Sequence, residues 1–340
     1  MSKPMNVVQF GIGPIGLESV KTILQKQSTG KIRLVGVIDI DPNKIGKDVG
    51  HLLAEPVDTG VIVSSDAAAV LESVDVDVVV HTTSSFLDSM YDQLVLCAEK
   101  GANVVSSTEE LSYPYERHPQ IAEKIDAVAK RYGVTIVGTG VNPGYAMDVL
   151  ALTATGVSTD VHRVRISRVV DAGKRRKPLQ AKVGAGISAE EFAEKKATGK
   201  FGHIGLRESL LMVADGLGWE LTSAEENLDP VISTKKVITP YFTVEEGAVA
   251  GIHHSIKGFV GSDAVITLDL QMYVGADDPH DAVFVEGTPP IDLIVRGGIF
   301  GDTATIAALV NAIPLAASSD PGLKTVKDLP VPRAFATVPQ

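Results

Sequence analysis

Two adjacent carboxylates, Glu109 and Glu110, follow residues 103–107, which are predicted to form a buried strand. Ligands of parallel α/β sheets bind beyond the carboxyl ends of the strands, so an acid at such an end would lie near a bound dinucleotide. Partial desolvation there raises the pKa of a carboxylate towards neutrality, as general acid/base chemistry requires. A carboxylate can also hold an ammonium or iminium ion. The alternative is that both acids only open the next helix, where they favour the positive end of its dipole.

A glycine-rich turn near the N-terminus supplies a binding site for that dinucleotide. It has the pattern Gly-x-Gly-x-x-Gly and lies between an apolar run at 6–10 and a stretch with helical spacing. The glycines permit a tight turn and a close approach of the backbone to a pyrophosphate on the helix N-terminus. The predicted cofactor contacts of this turn are Gly11, Gly13, Pro14, Ile15 and Gly16. The alternative is a turn whose glycines only permit packing.

An acidic residue after the second apolar run predicts how the adenosine ribose is bound. Asp39 lies 23 residues after Gly16, close to the spacing of about 20 that is typical of a ribose ligand. Asp39 favours NAD because it repels a 2′-phosphate, whereas Lys44 and Lys47 leave NADP open. Asp41 is the alternative ligand, although it is more typical of a turn. The predicted cofactor is therefore NAD or NADP.

Residues after the later apolar runs complete the predicted site. Thr83 and Ser84 follow the run at 76–81 and are predicted to line the cofactor groove, with an ordinary strand-to-helix turn as the alternative. Asn142 is predicted to contact nicotinamide or substrate, with helix capping as the alternative. The predicted substrate-binding residues are Glu110, Tyr145, Arg168, His203 and Thr303. No metal is predicted, because no His/Cys/Asp cluster has metal-ligand spacing.

The elements that position these residues change character along the chain. Up to about residue 140, short apolar runs alternate with helical patterns, which predicts an α/β fold with a doubly wound parallel sheet. The predicted strands are 6–10, 33–39, 61–63, 76–81, 103–107 and 134–138, and the predicted helices are 14–27, 87–100 and 119–132. This dinucleotide-binding (Rossmann) domain is predicted to span 1–145.

The chain beyond this point is predicted to form an α+β domain at 146–300, for substrate binding and dimerisation. Apolar residues alternate at 264–274, which predicts a mainly antiparallel sheet with one covered face. Because little sequence remains to cover the other face, we expect a homodimer. Helices are predicted at 143–156, after a capping box at Ser188, at 205–216, and at 301–313 before Pro314. Residues 301–340 are predicted to return to the first domain.

The composition excludes several classes of function. The chain has 340 residues, a net charge of −11 and one cysteine, Cys97. This charge and the lack of a basic stripe argue against a nucleic-acid partner. No apolar run approaches the roughly 20 residues of a membrane helix, so no membrane partner is predicted. The N-terminus enters a strand directly, which predicts a cytoplasmic enzyme without a signal peptide, and Cys97 is predicted to be buried and inert.

Several longer motifs together resemble a known family. They are the glycine turn, Ser-Ser-Thr-Glu-Glu-Leu-Ser-Tyr-Pro at 106–114, Gly-Thr-Gly-Val-Asn-Pro-Gly at 138–144, Ala-Gly-Ile-Ser-x-Glu-Glu-Phe at 185–192, Gly-His-Ile-Gly-Leu-x-Glu-Ser-Leu at 202–210 and Gly-Asp-x-Ala-Thr at 301–305. The chain resembles the dihydrodipicolinate-reductase-like group that contains 2,4-diaminopentanoate dehydrogenase and the native amine dehydrogenases. At 170–175 and 182–186 it lacks the His-His pair, the proton donor and the carboxylate-binding turn of dihydrodipicolinate reductase itself.

The resemblance implies reversible oxidative deamination of an amine to a ketone and ammonia with NAD or NADP. The family glutamate that handles the ammonia and carbinolamine protons matches Glu109, and the resemblance also implies a homodimer. Two alternatives stay open. One is 2,4-diaminopentanoate as substrate, whose carboxylate would need a cation such as Arg168 or Lys174. The other is reduction of a carbonyl without ammonia.

Overall fold

The computed structural model describes residues 3–199 and 201–335. They form two compact units. One contains the described residues up to Gly144 together with those from Gly301 onward, and the other runs from Tyr145 to Phe300.

The strands and helices before Gly144 are, in chain order, β1 (Met5–Phe10), α1 (Pro14–Lys26), β2 (Ile32–Ile38), β3 (Val63–Ser64), α2 (Ala67–Ser73), β4 (Val78–His81), α3 (Tyr91–Glu99), β5 (Asn103–Ser106), α4 (Pro119–Tyr132) and β6 (Thr135–Gly138). Those of the second unit are α5 (Val149–Thr155), β7 (Asp160–Asp171), α6 (Lys177–Lys182), α7 (Ala189–Ala197), α8 (Leu206–Gly216), β8 (Ser223–Ile232), β9 (Val237–Ile238), β10 (Thr243–Val244), β11 (Val249–Val260), β12 (Asp263–Tyr273), β13 (His280–Thr288) and β14 (Ile291–Arg296). The first unit is completed by α9 (Gly301–Ala317) and β15 (Gly322–Lys324).

The first unit is built on a seven-stranded parallel sheet in the order β15-β6-β5-β4-β1-β2-β3. The buried side chains of α2, α3 and α4 form a core with one face of the sheet, and α1 and α9 pack together beside the strands. Strands covered on both faces must be apolar throughout; Val78, Val79 and Val80 of β4 are completely buried. The predicted doubly wound sheet is confirmed.

The order of the strands determines where a ligand can bind in this unit. β1 lies between β2 and β4: the chain runs from β1 to β2 and β3 on one side, and then crosses over to β4, β5 and β6 on the other side. Open α/β sheets bind ligands at such a switch point, beyond the carboxyl ends of the strands. The loops that follow β1, β4, β5 and β6 carry most of the predicted site residues.

Two helices of the first unit differ from their predicted bounds. The predicted helix at 87–100 is a 3-10 turn, Leu87–Ser89, followed by α3, because Met90 N–H bonds to the Leu87 carbonyl and closes the turn early. The prediction that the last helix ends at Pro314 is wrong, since α9 continues to Ala317. A proline removes one backbone donor, and the burial of Leu315 and Ala316 keeps the final turn in place.

The helix predicted at 143–156 is also shorter than expected. Residues 142–148 form turns, and α5 begins at Val149. The side chain of Asp148 accepts a hydrogen bond from Val149 N–H at 2.6 Å, so Asp148 rather than Pro143 defines the helix start.

The second unit is built on a six-stranded sheet in the order β14-β13-β7-β12-β11-β8. The predicted mainly antiparallel sheet is confirmed, although β7 and β12 pair in parallel. Along β12, Ile266, Leu268 and Leu270 are buried while Thr267 and Asp269 are half-exposed. α5 packs against β7, β13 and β14, and α8 packs against β11 and β12. Among the described residues, none of the helices is long and apolar enough to cross a membrane.

Candidate functional site

The glycine turn after β1 can be made only with glycines at two of its positions. Gly11 has φ of +85°, in the left-handed region, and a Cβ there would lie 2.7 Å from the Thr82 carbonyl oxygen. A Cβ on Gly16 would lie 1.9 Å from the Gly11 carbonyl oxygen. Gly13 is the N-cap of α1, and a Cβ added there would meet no atom within 4 Å. The turn therefore leaves open space beside the first amides of α1, which fits a pyrophosphate group.

Asp39, just past the end of β2, is bonded to the glycine turn. Its Oδ2 accepts a hydrogen bond from Ile12 N–H at 2.7 Å, and its Oδ1 accepts one from Asp41 N–H at 2.8 Å. Lys44 Nζ lies 3.4 Å from Asp39 Oδ2 and 3.5 Å from Asp41 Oδ2. Asp41 also accepts from Asn43 N–H at 2.9 Å, as expected of a residue that begins a turn. A fixed carboxylate and a half-buried lysine therefore adjoin the turn.

Glu109 lies in a short segment after β5, which we call the glutamate turn (residues 107–112). Glu109 is half-buried, and the Ser112 hydroxyl donates a hydrogen bond to its carbonyl oxygen at 2.6 Å. The turn packs closely on the end of β6, because a Cβ on Gly138 would lie 2.7 Å from Ser112 N. The side chain of Glu109 is thus carried by a short, tightly packed segment at the carboxyl end of the sheet.

Glu110 has a different environment from Glu109, although the two are adjacent. The residue is 5% exposed, and its Oε2 accepts hydrogen bonds from Leu87 N–H at 2.8 Å and from His118 Nε2 at 2.9 Å. Arg117 Nε lies 3.9 Å from the other oxygen. Sequence reasoning missed these partners, because they come from turns on either side of the glutamate turn. Substrate binding by Glu110 stays a prediction.

The loop after β4 is bonded to the turns on both sides of it. Thr82 Oγ1 donates to the Gly11 carbonyl at 2.8 Å. On the other side, Thr108 Oγ1 donates to the Ser84 carbonyl at 2.8 Å, and Glu110 N–H donates to the Ser85 carbonyl at 3.3 Å. The segment that contains Thr83 and Ser84 therefore connects the glycine turn with the glutamate turn.

The other predicted residues of the first unit follow β6 or begin α9. Asn142 is half-buried, and its neighbour Val141 donates through N–H to Thr305 Oγ1 of α9 at 3.4 Å. Thr303 is exposed in the first turn of α9. The start of α9 thus lies beside the loop that follows β6.

Tyr145, Arg168 and His203 belong to the second unit. Arg168 on β7 is 2% exposed and forms an ion pair with Asp281, which lies opposite it on β13. Arg168 Nη2 donates to the Ile299 carbonyl at 2.9 Å, and Asp281 Oδ2 accepts from Ile299 N–H at 2.6 Å. Sequence reasoning missed this pair, since only the register of β7 against β13 reveals it. A substrate-binding role for Arg168 stays a prediction.

His203 lies in the loop before α8 and is half-buried, with its Nε2 enclosed. Burial and the nearby positive charges of Lys182 and Arg168 lower the pKa of His203 well below its usual value. His203 is therefore neutral near pH 7.

Tyr145 is half-buried, and its carbonyl accepts a hydrogen bond from Leu150 N–H at 2.9 Å.

Two further features concern the predictions that no metal is bound and that Cys97 is buried and inert. Ligand atoms of Asp48, His51 and Asp58 lie within 4.8 Å of one another, a grouping that sequence spacing did not reveal. Although burial opposes it, hydrogen bonds from Thr59 and from backbone N–H groups lower the pKa of Asp48 to about 2, as expected of an acid that organises its own loop. Cys97 is fully buried, and burial raises its pKa to about 12.

Comparison with known protein families gives a match for each of the two parts of the chain. Residues 145–339 match the model of the 2,4-diaminopentanoate dehydrogenase C-terminal domain. Residues 5–139 match the model of the dihydrodipicolinate reductase N-terminus.

Relatives of full length are similar to the whole chain. It is 32% identical to 2,4-diaminopentanoate dehydrogenase of Acetoanaerobium sticklandii over 97% of this chain and 95% of that protein. It is 23% identical to amine dehydrogenase of Streptomyces virginiae over 96% of each. The solved structure of amine dehydrogenase from Mycobacterium smegmatis matches with a TM-score of 0.84 and 27% identity, over 97% of each chain. The resemblance drawn from the motifs is confirmed.

Proposed function

The chain belongs to the 2,4-diaminopentanoate dehydrogenase family, and from this we propose that it is an NAD(P)-dependent amine dehydrogenase in which Glu109 handles the protons. In this reaction an amine is oxidised to a ketone and ammonia, and the reverse is reductive amination. The position of Glu109 is the observation that carries the proposal. The loop after β4 connects its turn with the glycine turn at the carboxyl edge of one parallel sheet.

The residues that would hold the cofactor are those of the glycine turn, Asp39, Thr83, Ser84 and Asn142. A bound nicotinamide nucleotide supplies or accepts the hydride in this chemistry. Two glycine positions exclude a side chain and Gly13 leaves open space, which supports a pyrophosphate site there.

Glu109 has two tasks in the direction of amination. As a carboxylate it takes a proton from the ammonium ion, so that neutral ammonia can attack the ketone carbon. It then returns a proton to the hydroxyl group of the carbinolamine, which leaves as water and gives an iminium ion. The negative charge of Glu109 stabilises that cation. In deamination the same residue activates the water that attacks the iminium carbon.

The environment of Asp39 supports a preference for NAD over NADP. Its carboxylate is fixed by Ile12 N–H, and it would repel a 2′-phosphate while accepting hydrogen bonds from the ribose hydroxyl groups. Lys44, at 3.4 Å, offsets part of this charge. NADP is therefore expected to be a poorer cofactor that is still used.

The substrate is either a simple amine or a diamino acid. The guanidinium of Arg168 bonds to Asp281 and to the Ile299 carbonyl, which favours an uncharged ketone over one whose carboxylate would need Arg168. Membership of the 2,4-diaminopentanoate dehydrogenase family favours the second candidate, dehydrogenation of 2,4-diaminopentanoate.

The half-exposed face of the second sheet supports a homodimer. Thr267, Asp269 and Gln271 of β12 lie on this face, opposite the buried apolar face. Light scattering after gel filtration is expected to give twice the chain mass of 35.8 kDa. A peak at the mass of one chain would contradict the homodimer.

The reaction can be tested with a panel of small ketones and with 2-amino-4-oxopentanoate, each with NADH or NADPH. Oxidation of the cofactor that requires ammonium is the expected result. If 2-amino-4-oxopentanoate is the only ketone of the panel that supports ammonium-dependent turnover, the substrate is the diamino acid. Turnover without ammonium would instead indicate carbonyl reduction and would contradict the assignment of amine chemistry.

A further inference from the structure

A buried histidine ends the otherwise apolar strand β4. His81 is 0% exposed and follows three valines. Its ring packs edge-on against Phe10 at the end of β1, with 5.4 Å between the ring centroids. A buried polar ring is costly unless its nitrogens are hydrogen-bonded, so the partners of His81 indicate its purpose.

Both ring nitrogens of His81 have a partner. Nε2 lies 2.8 Å from Gln93 Oε1, which can only accept, so Nε2 carries the hydrogen. Burial lowers the pKa of His81 to about 4, and the ring is neutral near pH 7. Nδ1 is then an acceptor, and the hydroxyl group of Ser106, at 2.9 Å, donates to it.

The hydrogen bonds continue from Ser106 to the residue that precedes Glu109. Thr108 N–H donates to Ser106 Oγ at 3.1 Å, and Thr108 Oγ1 donates to the Ser84 carbonyl at 2.8 Å. Ser107 N–H also donates to the His81 carbonyl at 2.9 Å. Ser107 and Thr108, the first two residues of the glutamate turn, are thus hydrogen-bonded to the end of β4 and to the loop that follows it.

We propose that His81 is a positioning residue for Glu109, which it acts on through Ser106 and Thr108. This inference rests on the proposed catalytic role of Glu109. His81 and Ser106 are buried in the sheet and fix the backbone at Thr108, so the direction of the next side chain depends on them. Displacement of a catalytic group by about 1 Å can lower a rate by about a hundredfold.

The test compares two amides at position 81 that keep different halves of the network. His81→Asn places its amide near the position of Nδ1, within reach of Ser106. His81→Gln reaches towards Gln93 and loses Ser106. We expect His81→Asn to retain most of the ammonium-dependent kcat, and His81→Gln to lower it roughly 10- to 100-fold.

Ser106→Ala removes the hydroxyl group that joins His81 to Thr108 and leaves the histidine unchanged. It is expected to lower kcat as much as His81→Gln does and to shift the pH profile of kcat, while the Kd of NADH stays unchanged. In the double variant the two losses should not add, because both break the same link. If the histidine variants do not fold, Ser106→Ala carries the test, since it removes only one buried oxygen.

Two outcomes would overturn the positioning role. One is wild-type kcat and pH profile in Ser106→Ala while Glu109→Gln is inactive, which would leave the proposed function intact. The other is an equal loss in His81→Asn and His81→Gln with an unchanged pH profile, which would indicate a packing role only. Wild-type turnover of Glu109→Gln would instead contradict the proposed function itself.

Discussion

Two sets of buried charged groups, one in each unit, are fixed in different ways. In the first unit, Asp39 and Glu110 each accept a backbone N–H from a neighbouring loop, from Ile12 and Leu87 respectively. In the second unit, Arg168 and Asp281 pair with each other across β7 and β13. Acids of the first kind fix loops beside the proposed cofactor site, whereas the pair of the second kind holds two strands together. Replacement of Asp39 or Glu110 in the first unit should therefore lower activity, whereas replacement of Asp281 in the second unit should lower the free energy of unfolding.

The largest effect on stability is expected from Asp281→Ala, which leaves the buried Arg168 without its counter-charge. Loss of one member of a buried pair costs about 3–5 kcal/mol in free energy of unfolding. Glu286→Ala is the matched control, because Glu286 lies on the same strand and pairs with Arg163 at 3.0 Å in an exposed position. The control should cost at most about 1 kcal/mol. Equal losses in urea unfolding would remove the distinction between the two units.

A pH-dependent loss of stability is expected from His81 in the first unit. The pKa of His81 lies near 4 in the folded protein, against an ordinary value of 6.5. As pH falls below 6.5, the unfolded chain binds the proton first, so the folded state loses stability until about pH 4. The difference corresponds to about 3 kcal/mol.

This pH dependence can be measured by urea unfolding at several pH values between 7 and 4. His81→Asn does not titrate in this range and should show a correspondingly smaller loss. If the free energy of unfolding falls equally steeply with decreasing pH in the wild type and in His81→Asn, other groups, such as His203, account for the loss.

The smallest effect is expected at the cofactor site. Lys44→Met should lower kcat/KM for NADPH about tenfold more than for NADH, since one charge-assisted bond to a 2′-phosphate is lost. Asp39→Ala should have the opposite effect and shift the preference from NADH towards NADPH. Lys47→Met is the matched control, because Lys47 is exposed three residues further along. Equal changes in Lys44→Met and Lys47→Met would exclude a specific role for Lys44.

Local patterns allowed most of the fold to be predicted from the sequence. The glycine turn, the valine-rich strand β4 and the alternation along β12 each depend on residues close together in the chain. Two features that depend on distant residues were not predicted. α9 passes through Pro314 because its last turn is buried, and the parallel pairing of β7 with β12 depends on the order of the whole sheet.

The candidate site shows the same limit. Glu109 and Glu110 could not be distinguished by sequence, because their difference comes from His118 and the N–H of Leu87. The role of His81 was equally hidden, since its partners Ser106 and Gln93 belong to β5 and α3.

The central claim is that Glu109 handles the protons of amine chemistry, and Glu109→Gln tests it most directly. Ammonium-dependent oxidation of NADH with the best ketone should be measured together with the Kd of NADH. Loss of general acid/base catalysis lowers a rate roughly 10²- to 10⁴-fold, and the account predicts a fall of this size in kcat with NADH binding retained. Turnover at the wild-type rate would contradict it.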